Sequence, residues 1–354
     1  MDTRVIFTNQ VEEAIDSAVE AMAPAGVYVL VDTNTAKYVL PRLQTGSKAI
    51  AAAKVLMMSA GEENKNLETL ARVWTGLGDG EATRRSVMIN VGGGVVTDLG
   101  AFAAATFKRG IRFINVPTTL LGAVDASVGG KTGIDFNNLK NEVGVIRQAD
   151  LVIVSTTFFR TLDSQQMLSG YAEMVKHAAL TGPEAVSRLL RYNLADYDDD
   201  QLLRLLCESV EVKRSVVDKD LNDNGVRRTL NLGHTTAHAL EALALKRGAP
   251  IAHGYAVAMG MVVTLVLSRM LKWFPSERLH SFAHWVRETY GTMAITCDDY
   301  PELLQAMTHD KKNHRAGEVM FVLLKDWGQP EIDQPVDAKT IEAALDIYRD
   351  LMGI

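Results

Sequence analysis

Short β-branched runs alternate with helical segments in the first half of this chain, and this alternation constrains the fold more than any other feature. The runs cover residues 27–31, 53–58, 87–91, 112–116 and 151–154. Helical segments, such as 67–77 and 95–107, separate them. A strand, a helix and a second strand in this order form a right-handed crossover between parallel strands. The first half therefore predicts a mostly parallel sheet covered by helices.

The second half has almost no β-branched runs and carries helical periodicity instead. The helical segments are 164–180, 184–193, 200–219, 232–246, 254–272, 276–290 and 338–352. Only residues 319–324 predict a late strand. We therefore expect an α/β domain over residues 1–163 followed by an all-α domain over residues 164–354.

Composition limits the classes of function that the chain can have. With 354 residues, 47% of them hydrophobic, it can bury two cores. A net charge of −6 argues against a nucleic-acid partner, which requires a basic face. Cys207 and Cys297 form no C-x-x-C pattern, so a reducing cytoplasm is expected. The start of the chain lacks a signal-peptide pattern. The longest apolar run, 256–267, is shorter than the roughly 20 residues that span a bilayer, so no membrane partner is expected.

Three histidines lie where a metal site could form. His234 and His238 are four residues apart and share one face of a predicted helix. His253 precedes the next predicted helix. Two histidines and one carboxylate would leave a coordination position open for a substrate hydroxyl. Glu173 could supply the carboxylate, although the spacing also allows it to pair with His177.

A glycine turn follows the run 87–91 directly. Gly92, Gly93 and Gly94 lead into a helix of small residues that contains Asp98. Glycines let the backbone approach a pyrophosphate, and the free N–H groups of the helix start favour negative charge. Asp32, at the end of an earlier strand, could bind ribose hydroxyls or could equally cap a helix.

The segment 117–141 supplies candidate donors for phosphate or carboxylate. Gly129-Gly130-Lys131-Thr132 resembles part of a P-loop, but Asp125 stands where that motif requires glycine, which argues against an NTPase. Lys131, Lys140 and Asn141 remain candidate donors. Neither a Ser/His/Asp order nor a Cys/His pairing indicates covalent catalysis. A nucleotide site, a metal and several cations together indicate redox chemistry on a phosphorylated, acidic polyol.

Taken together, these motifs resemble the 3-dehydroquinate synthase family of the sugar-phosphate cyclase superfamily. The segments that carry the resemblance are 92–99, 116–121, 129–134, 172–176, 230–238 and 253–254. Their order and spacing match from about residue 25 to residue 325. The resemblance implies a Rossmann-like nucleotide-binding domain followed by an all-α metal-binding domain, in agreement with the division above.

The resemblance also implies a reaction. The family converts 3-deoxy-D-arabino-heptulosonate 7-phosphate into 3-dehydroquinate and phosphate, in the shikimate pathway to aromatic amino acids. It uses NAD and a divalent metal, Zn²⁺ or Co²⁺. Transient oxidation of the C4 hydroxyl acidifies the C5 proton and permits phosphate elimination. Re-reduction, ring opening and an intramolecular aldol step follow, so NAD is regenerated. We expect a phosphorylated acidic sugar as the small-molecule partner, and a homodimer.

Family roles carry over residue by residue. The metal ligands implied are Glu173, His234 and His253, with His238 and His177 outside the ligand set. The NAD-binding positions implied are Glu62, Lys65, Gly92, Gly93, Gly94, Asp98, Thr118, Thr119, Lys131, Lys140 and Thr161, to which we add Asp32. The implied substrate and catalytic positions are Arg109, Asp125, Lys131, Asn141, Lys176, Lys213, Arg227, Asn231, His238 and one of Lys311 or Lys312, with Lys312 preferred.

Two other enzyme classes compete with this interpretation. Cyclases that act on sedoheptulose 7-phosphate or glucose 6-phosphate lack a substrate carboxylate to bind. The cations listed above therefore favour an acidic substrate. A metal-dependent polyol dehydrogenase should lack the Gly-Gly-Lys-Thr-Gly segment and the Lys140-Asn141 pair. A non-enzymatic binding module does not explain a complete metal and nucleotide set.

Overall fold

The computed structural model describes residues 3–137, 139–221, 223–308 and 318–354. Its strands are β1 (Arg4–Phe7), β2 (Val27–Asp32), β3 (Lys54–Met58), β4 (Val87–Gly92), β5 (Arg112–Pro117), β6 (Lys131–Phe136), β7 (Leu139–Ile146), β8 (Leu151–Val154), β9 (Glu318–Leu324) and β10 (Pro330–Asp337). Its helices are α1 (Val11–Met22), α2 (Thr33–Tyr38), α3 (Leu40–Gly46), α4 (Lys48–Ala51), α5 (Leu67–Asp79), α6 (Gly94–Thr106), α7 (Ser164–Thr181), α8 (Pro183–Leu190), α9 (Asp199–Lys219), α10 (His234–Lys246), α11 (His253–Lys272), α12 (Ser276–Tyr290), α13 (Tyr300–Thr308) and α14 (Ala338–Met352).

The chain divides into two compact units. The first comprises Met1–Gly170 and Ala195–Asn222, and the second comprises Tyr171–Leu194 and Asp223–Ile354. This differs from the expected division after residue 163. Helix α7 begins at Ser164, so a change of pattern there marks the start of a helix rather than the edge of a unit. Helix α9, expected in the second domain, belongs to the first unit.

A six-stranded parallel sheet forms the centre of the first unit, in the order β1-β8-β5-β4-β2-β3. The predicted parallel sheet is confirmed. All six residues of β4 are buried, as in a strand covered on both faces. In its register Asn90 lies opposite Asn115, and the Asn90 Nδ2 donates to the Asn115 Oδ1 at 2.9 Å. The pattern did not indicate β1, which has four residues, or the antiparallel pair β6–β7.

The second unit is mainly helical. Helix α11 is its central element, buried at almost every position from Gly254 to Ser268. It is the one described helix that is long and apolar enough to cross a membrane, and 78% of its most apolar 18-residue window is buried inside the protein. That burial is typical of a core helix. The unit is not entirely helical as expected, because the predicted late strand, β9, pairs with β10 in an antiparallel hairpin.

Candidate active site

The glycine turn of the first unit opens the N-terminus of α6. Gly93 precedes the helix and has no side chain to cap it, so α6 begins with unshielded N–H groups. A Cβ on Gly93 would lie 3.1 Å from the Thr119 side chain, and one on Gly94 would lie 3.3 Å from Ala126. Larger residues would crowd this turn. The turn therefore has the geometry of a seat for an anion.

Lys65 joins two predicted site residues in the first unit. Its Nζ donates to Asp98 Oδ2 and to Asn141 Oδ1, both at 2.6 Å, and the residue is only 3% exposed. Burial raises the pKa of Asp98 to about 6, although Lys65 opposes that shift. Burial disfavours the charge on Lys65, but Asp98 and Glu62 more than compensate and raise the pKa of Lys65. The two charges thus depend on each other.

A second ion pair in the first unit connects Lys213 with Asp125. Lys213 lies on α9, is buried, and donates from Nζ to the Asp125 Oδ1 at 2.6 Å and to the Asp125 carbonyl at 2.5 Å. Asp125 itself lies in a single wide helical turn, Gly122–Ala126. The Asp125 carboxylate is therefore held by a cation.

The remaining predicted residues of the first unit differ in exposure. Thr118 is buried and donates from its backbone N–H to Gly92. Asp32 caps α2, since its Oδ1 accepts from the backbone of Asn34 and Thr35. This is the second of the two roles that the sequence allowed. The exposed members are Glu62, Arg109, Lys131, Lys140 and Thr161.

Three predicted metal ligands meet in the second unit. Glu173 on α7, His234 on α10 and His253 on α11 each offer a ligand atom, and these atoms lie within 4.8 Å of one another. The Oε1 of Glu173 lies 3.4 Å from the Nε2 of His234 and 3.5 Å from the Nε2 of His253. Tetrahedral zinc with bonds of about 2.0–2.1 Å separates two ligand atoms by about 3.3 Å. The three side chains therefore fit a divalent metal.

The protonation states of these side chains also bear on metal binding. Burial alone would raise the pKa of Glu173, but Lys176 and His234 outweigh it and hold that pKa well below its ordinary value. Glu173 forms a buried ion pair with Lys176, which lies three residues further along α7. Burial and Lys176 lower the pKa of His234. The ionised carboxylate of Glu173 and the neutral imidazole of His234 are metal-binding forms. Burial opposes a charge on His253, but Glu173 and Glu241 outweigh it and raise the pKa of this ring to about 10, so a metal there would displace a proton.

The other predicted residues of the second unit lie around this group. The His238 ring is centred 5.6 Å from that of His234 and 6.4 Å from that of His253, beside the ligand set. His177 is fully buried and is not a member of it. Arg227 is buried in the short helix Val226–Asn231, where the Asn231 Nδ2 donates to the Arg228 carbonyl at 3.0 Å. Lys311 and Lys312 lie outside the described residues.

Two residues that support the Glu173–His234–His253 group were not predicted from the sequence. Glu241 lies 3.4 Å from the outer nitrogen of His253, and its signal in the sequence was a spacing of seven from His234 on the same helix face. Gly260 of α11 packs directly on α10, since a Cβ there would lie 2.2 Å from the Gly233 carbonyl. A lone glycine within an apolar run carries no sequence signal of this kind.

A parallel sheet with a glycine turn, followed by a helical unit in which a buried glutamate faces two histidines, defines a class of two-unit proteins suited to a nucleotide and a divalent metal. Comparison with family models identifies the member of this class. The N-terminal model of 3-dehydroquinate synthase matches residues 55–169, and its C-terminal model matches residues 170–313. The boundary between the two models, after residue 169, lies one residue before the Gly170–Tyr171 boundary of the compact units in α7.

Known proteins agree with these matches. A 3-dehydroquinate synthase from Parabacteroides distasonis is 41% identical over 353 residues, covering 100% of this chain and 99% of the relative. A 2-deoxy-scyllo-inosose synthase, solved with carbaglucose-6-phosphate, NAD⁺ and Co²⁺, has a TM-score of 0.83 at 22% identity and covers 98% of this chain and 96% of its own. The 2-epi-5-epi-valiolone synthase of Streptomyces hygroscopicus, solved with NAD⁺ and Zn²⁺, has a TM-score of 0.81 at 23% identity, covering 99% and 96%. The chain belongs to the 3-dehydroquinate synthase family.

Proposed function

We propose that this chain is an NAD- and metal-dependent lyase that converts 3-deoxy-D-arabino-heptulosonate 7-phosphate into 3-dehydroquinate and phosphate. The observation that carries the proposal is the group Glu173–His234–His253, in which a buried carboxylate faces two half-buried imidazoles, present in a member of this family. A chain that merely kept the fold would not need a buried carboxylate facing two imidazoles. Lys176 already balances the charge of this carboxylate, so the two imidazoles that face it are what a purely structural ion pair would not require.

In the first unit, the N-terminus of α6 would bind the pyrophosphate of NAD, which supplies a hydride acceptor when bound. Gly93 and Gly94 leave room for the phosphates, and Thr119 lies beside the turn. Asp98, in the second turn of α6, forms an ion pair with Lys65. The exposed side chains of Lys131 and Lys140 would add positive charge for phosphate groups.

In the second unit, Glu173, His234 and His253 would hold a divalent metal, Zn²⁺ or Co²⁺, which supplies a Lewis acid for a substrate hydroxyl when bound. Lys176 keeps Glu173 ionised, as the lowered pKa of that carboxyl indicates. The His238 imidazole lies on the same helix face and would serve the substrate rather than the metal. Arg227 would bind an anionic group of the substrate.

Phosphate elimination requires a proton acceptor for C5, but two carboxylates of the candidate site in the first unit are already paired with lysines. Asp98 is paired with Lys65, and Asp125 is paired with Lys213. The departing phosphate, a dianion near neutral pH, would take the proton itself if its position is fixed. Lys131, Asn141, Arg109 and His238 are the residues that we expect to fix it. Positioning and charge balance are then the main tasks of the protein.

One assay tests the activity. The purified protein, supplied with NAD and Zn²⁺ or Co²⁺, should release phosphate from 3-deoxy-D-arabino-heptulosonate 7-phosphate without accumulating NADH. Removal of the metal with a chelator should abolish release, and re-addition should restore it. Turnover of sedoheptulose 7-phosphate instead would show a different cyclase. Net NADH formation from a polyol would show a dehydrogenase.

We also propose a cytoplasmic homodimer. Both Cys207 and Cys297 are free thiols, as suits a reducing compartment. Apolar side chains on the β6–β7 hairpin are exposed, which supports a surface covered by a second copy. Sedimentation velocity measures this state directly.

A further inference from the structure

The ring of His253 stands between two carboxylates. Its Nε2 lies 3.5 Å from Glu173 Oε1, on the side of the metal group. Its Nδ1 lies 3.4 Å from Glu241 Oε2, on the opposite side. Glu241 follows His234 by seven residues on α10, so one helix face carries a ligand and this second carboxylate.

We propose that Glu241 is a positioning residue that accepts the Nδ1–H of His253 and thereby presents the Nε2 lone pair to the metal. A neutral imidazole carries one proton, and the nitrogen beside an outer carboxylate retains it. The other nitrogen is then the ligand atom. This inference rests on the metal site of the proposed function, and it assigns Glu241 no contact with the substrate.

The two histidines need this help to different degrees. The Nδ1 of His234 lies 3.2 Å from the backbone carbonyl of Leu232, so the main chain already sets the orientation of that ring. His253 is the first residue of α11, and its side chain is 28% exposed against 13% for His234. A more exposed ring at a helix end has more freedom to rotate. Glu241 supplies the restraint that the backbone gives to His234.

The test compares Glu241→Ala and Glu241→Gln with Glu302→Gln. Glu302, on α13, is a matched control because its partly exposed carboxylate forms an ion pair with Lys246 of α10. Metal affinity is measured by competition with a chromophoric chelator, and the ligand field by the visible absorption of the Co²⁺ protein. Thermal unfolding of the chelator-treated proteins measures stability without metal.

We expect Glu241→Ala to weaken metal binding about 10–100-fold and to change the Co²⁺ spectrum. The amide oxygen of Glu241→Gln can still accept from Nδ1–H, so this variant should recover part of the affinity. Glu302→Gln should match the wild type. Wild-type affinity in Glu241→Ala, or equal losses in Glu241→Ala and Glu302→Gln, would overturn the positioning role. Failure of the wild-type protein itself to bind Zn²⁺ or Co²⁺ would instead refute the metal site.

Discussion

The carbonyl oxygen of Gly233 lies 2.2 Å from the point that a Cβ on Gly260 would occupy. Gly233 precedes α10, which begins with His234, and Gly260 lies two turns after His253 on α11. The missing side chain therefore permits the close approach of the two helices that carry the histidines. A second backbone atom, the Ala237 nitrogen, lies 2.9 Å from the same point. Neither atom can rotate away as a side chain would.

Replacing Gly260 with alanine should force α10 and α11 apart. We expect a loss of about 1–3 kcal/mol in the free energy of unfolding, the usual cost of overpacking. Metal affinity should fall at least about tenfold, because the spacing of the ligand atoms changes. Urea unfolding and chelator competition measure the two effects. Gly78→Ala is the control, since a Cβ there meets nothing within 4 Å. Unchanged metal affinity in Gly260→Ala would contradict the spacing argument.

Two histidine variants test which histidines bind the metal. His253→Ala should lose tight metal binding, whereas His238→Ala should retain the metal because its ring lies beside the group rather than in it. Metal content after dialysis decides between them, with loss of the metal expected only for His253→Ala, which removes one of three protein ligands. The reverse result would show that the ligand assignment is wrong.

The hairpin β6–β7 offers a test of the homodimer. Val143 is 41% exposed on β7, near the exposed Leu139 and Val145. A lysine at this position should oppose burial of the hairpin against a second copy and shift the protein toward the monomer. Val55, on β3, is also 41% exposed and provides a matched control. Sedimentation velocity should show a smaller species for Val143→Lys only. A wild-type protein that is already monomeric would disprove the homodimer.

Much of the fold could be predicted from periodicity. Strands covered on both faces read as continuous β-branched runs, which is why β2, β4 and β5 were located within about one residue. The hairpin β6–β7 was missed because β7 is exposed along its whole length and carries no such run. β10 was missed for a similar reason, since only Val336 among its eight residues is buried.

The residues of the candidate site could be predicted from the sequence, but the contacts between them could not. The spacing of His234, His238 and His253 indicated a metal group, but it could not show which nitrogen faces which carboxylate. The Lys65–Asn141 contact joins residues that are 76 positions apart, and no local pattern records it. Asp32 shows the opposite case. The sequence allowed this side chain either to bind ribose hydroxyls or to cap a helix, and in the structure it caps α2. Such choices depend on tertiary contacts.

Lys131 should matter for phosphate release more than for oxidation. With Lys131→Ala, NADH should still form in a single turnover, whereas phosphate release should slow by about 100-fold or more, as when one charge-stabilising donor is removed. Rapid-quench phosphate assays beside NADH absorbance separate the two steps. Lys325→Ala, which removes an exposed lysine paired with Glu331, controls for loss of charge. Phosphate release at the wild-type rate would remove Lys131 from this role.

The last prediction concerns the pH dependence set by Asp98. Burial raises the pKa of this carboxyl from 3.8 to about 6, so between about pH 4 and pH 6 the folded protein binds a proton that the unfolded chain has released. Stability from this group is therefore greatest below pH 4 and falls as the pH rises to 6. Two pKa units correspond to about 3 kcal/mol at most. Asp98→Asn cannot titrate and should lack this decline; it also lacks the ion pair with Lys65 that forms once Asp98 ionises.

Urea unfolding at pH 4, 5, 6 and 7 measures this decline in both proteins. The informative quantity is the difference between wild type and Asp98→Asn at each pH, since all other groups titrate alike in both. Between pH 4 and pH 6, the free energy of unfolding of the wild type should fall by up to about 3 kcal/mol relative to that of Asp98→Asn. Glu302→Gln, which removes an exposed carboxylate, should run parallel to the wild type. A constant difference between wild type and Asp98→Asn would show that Asp98 keeps an ordinary pKa, and that Lys65 fully offsets its burial.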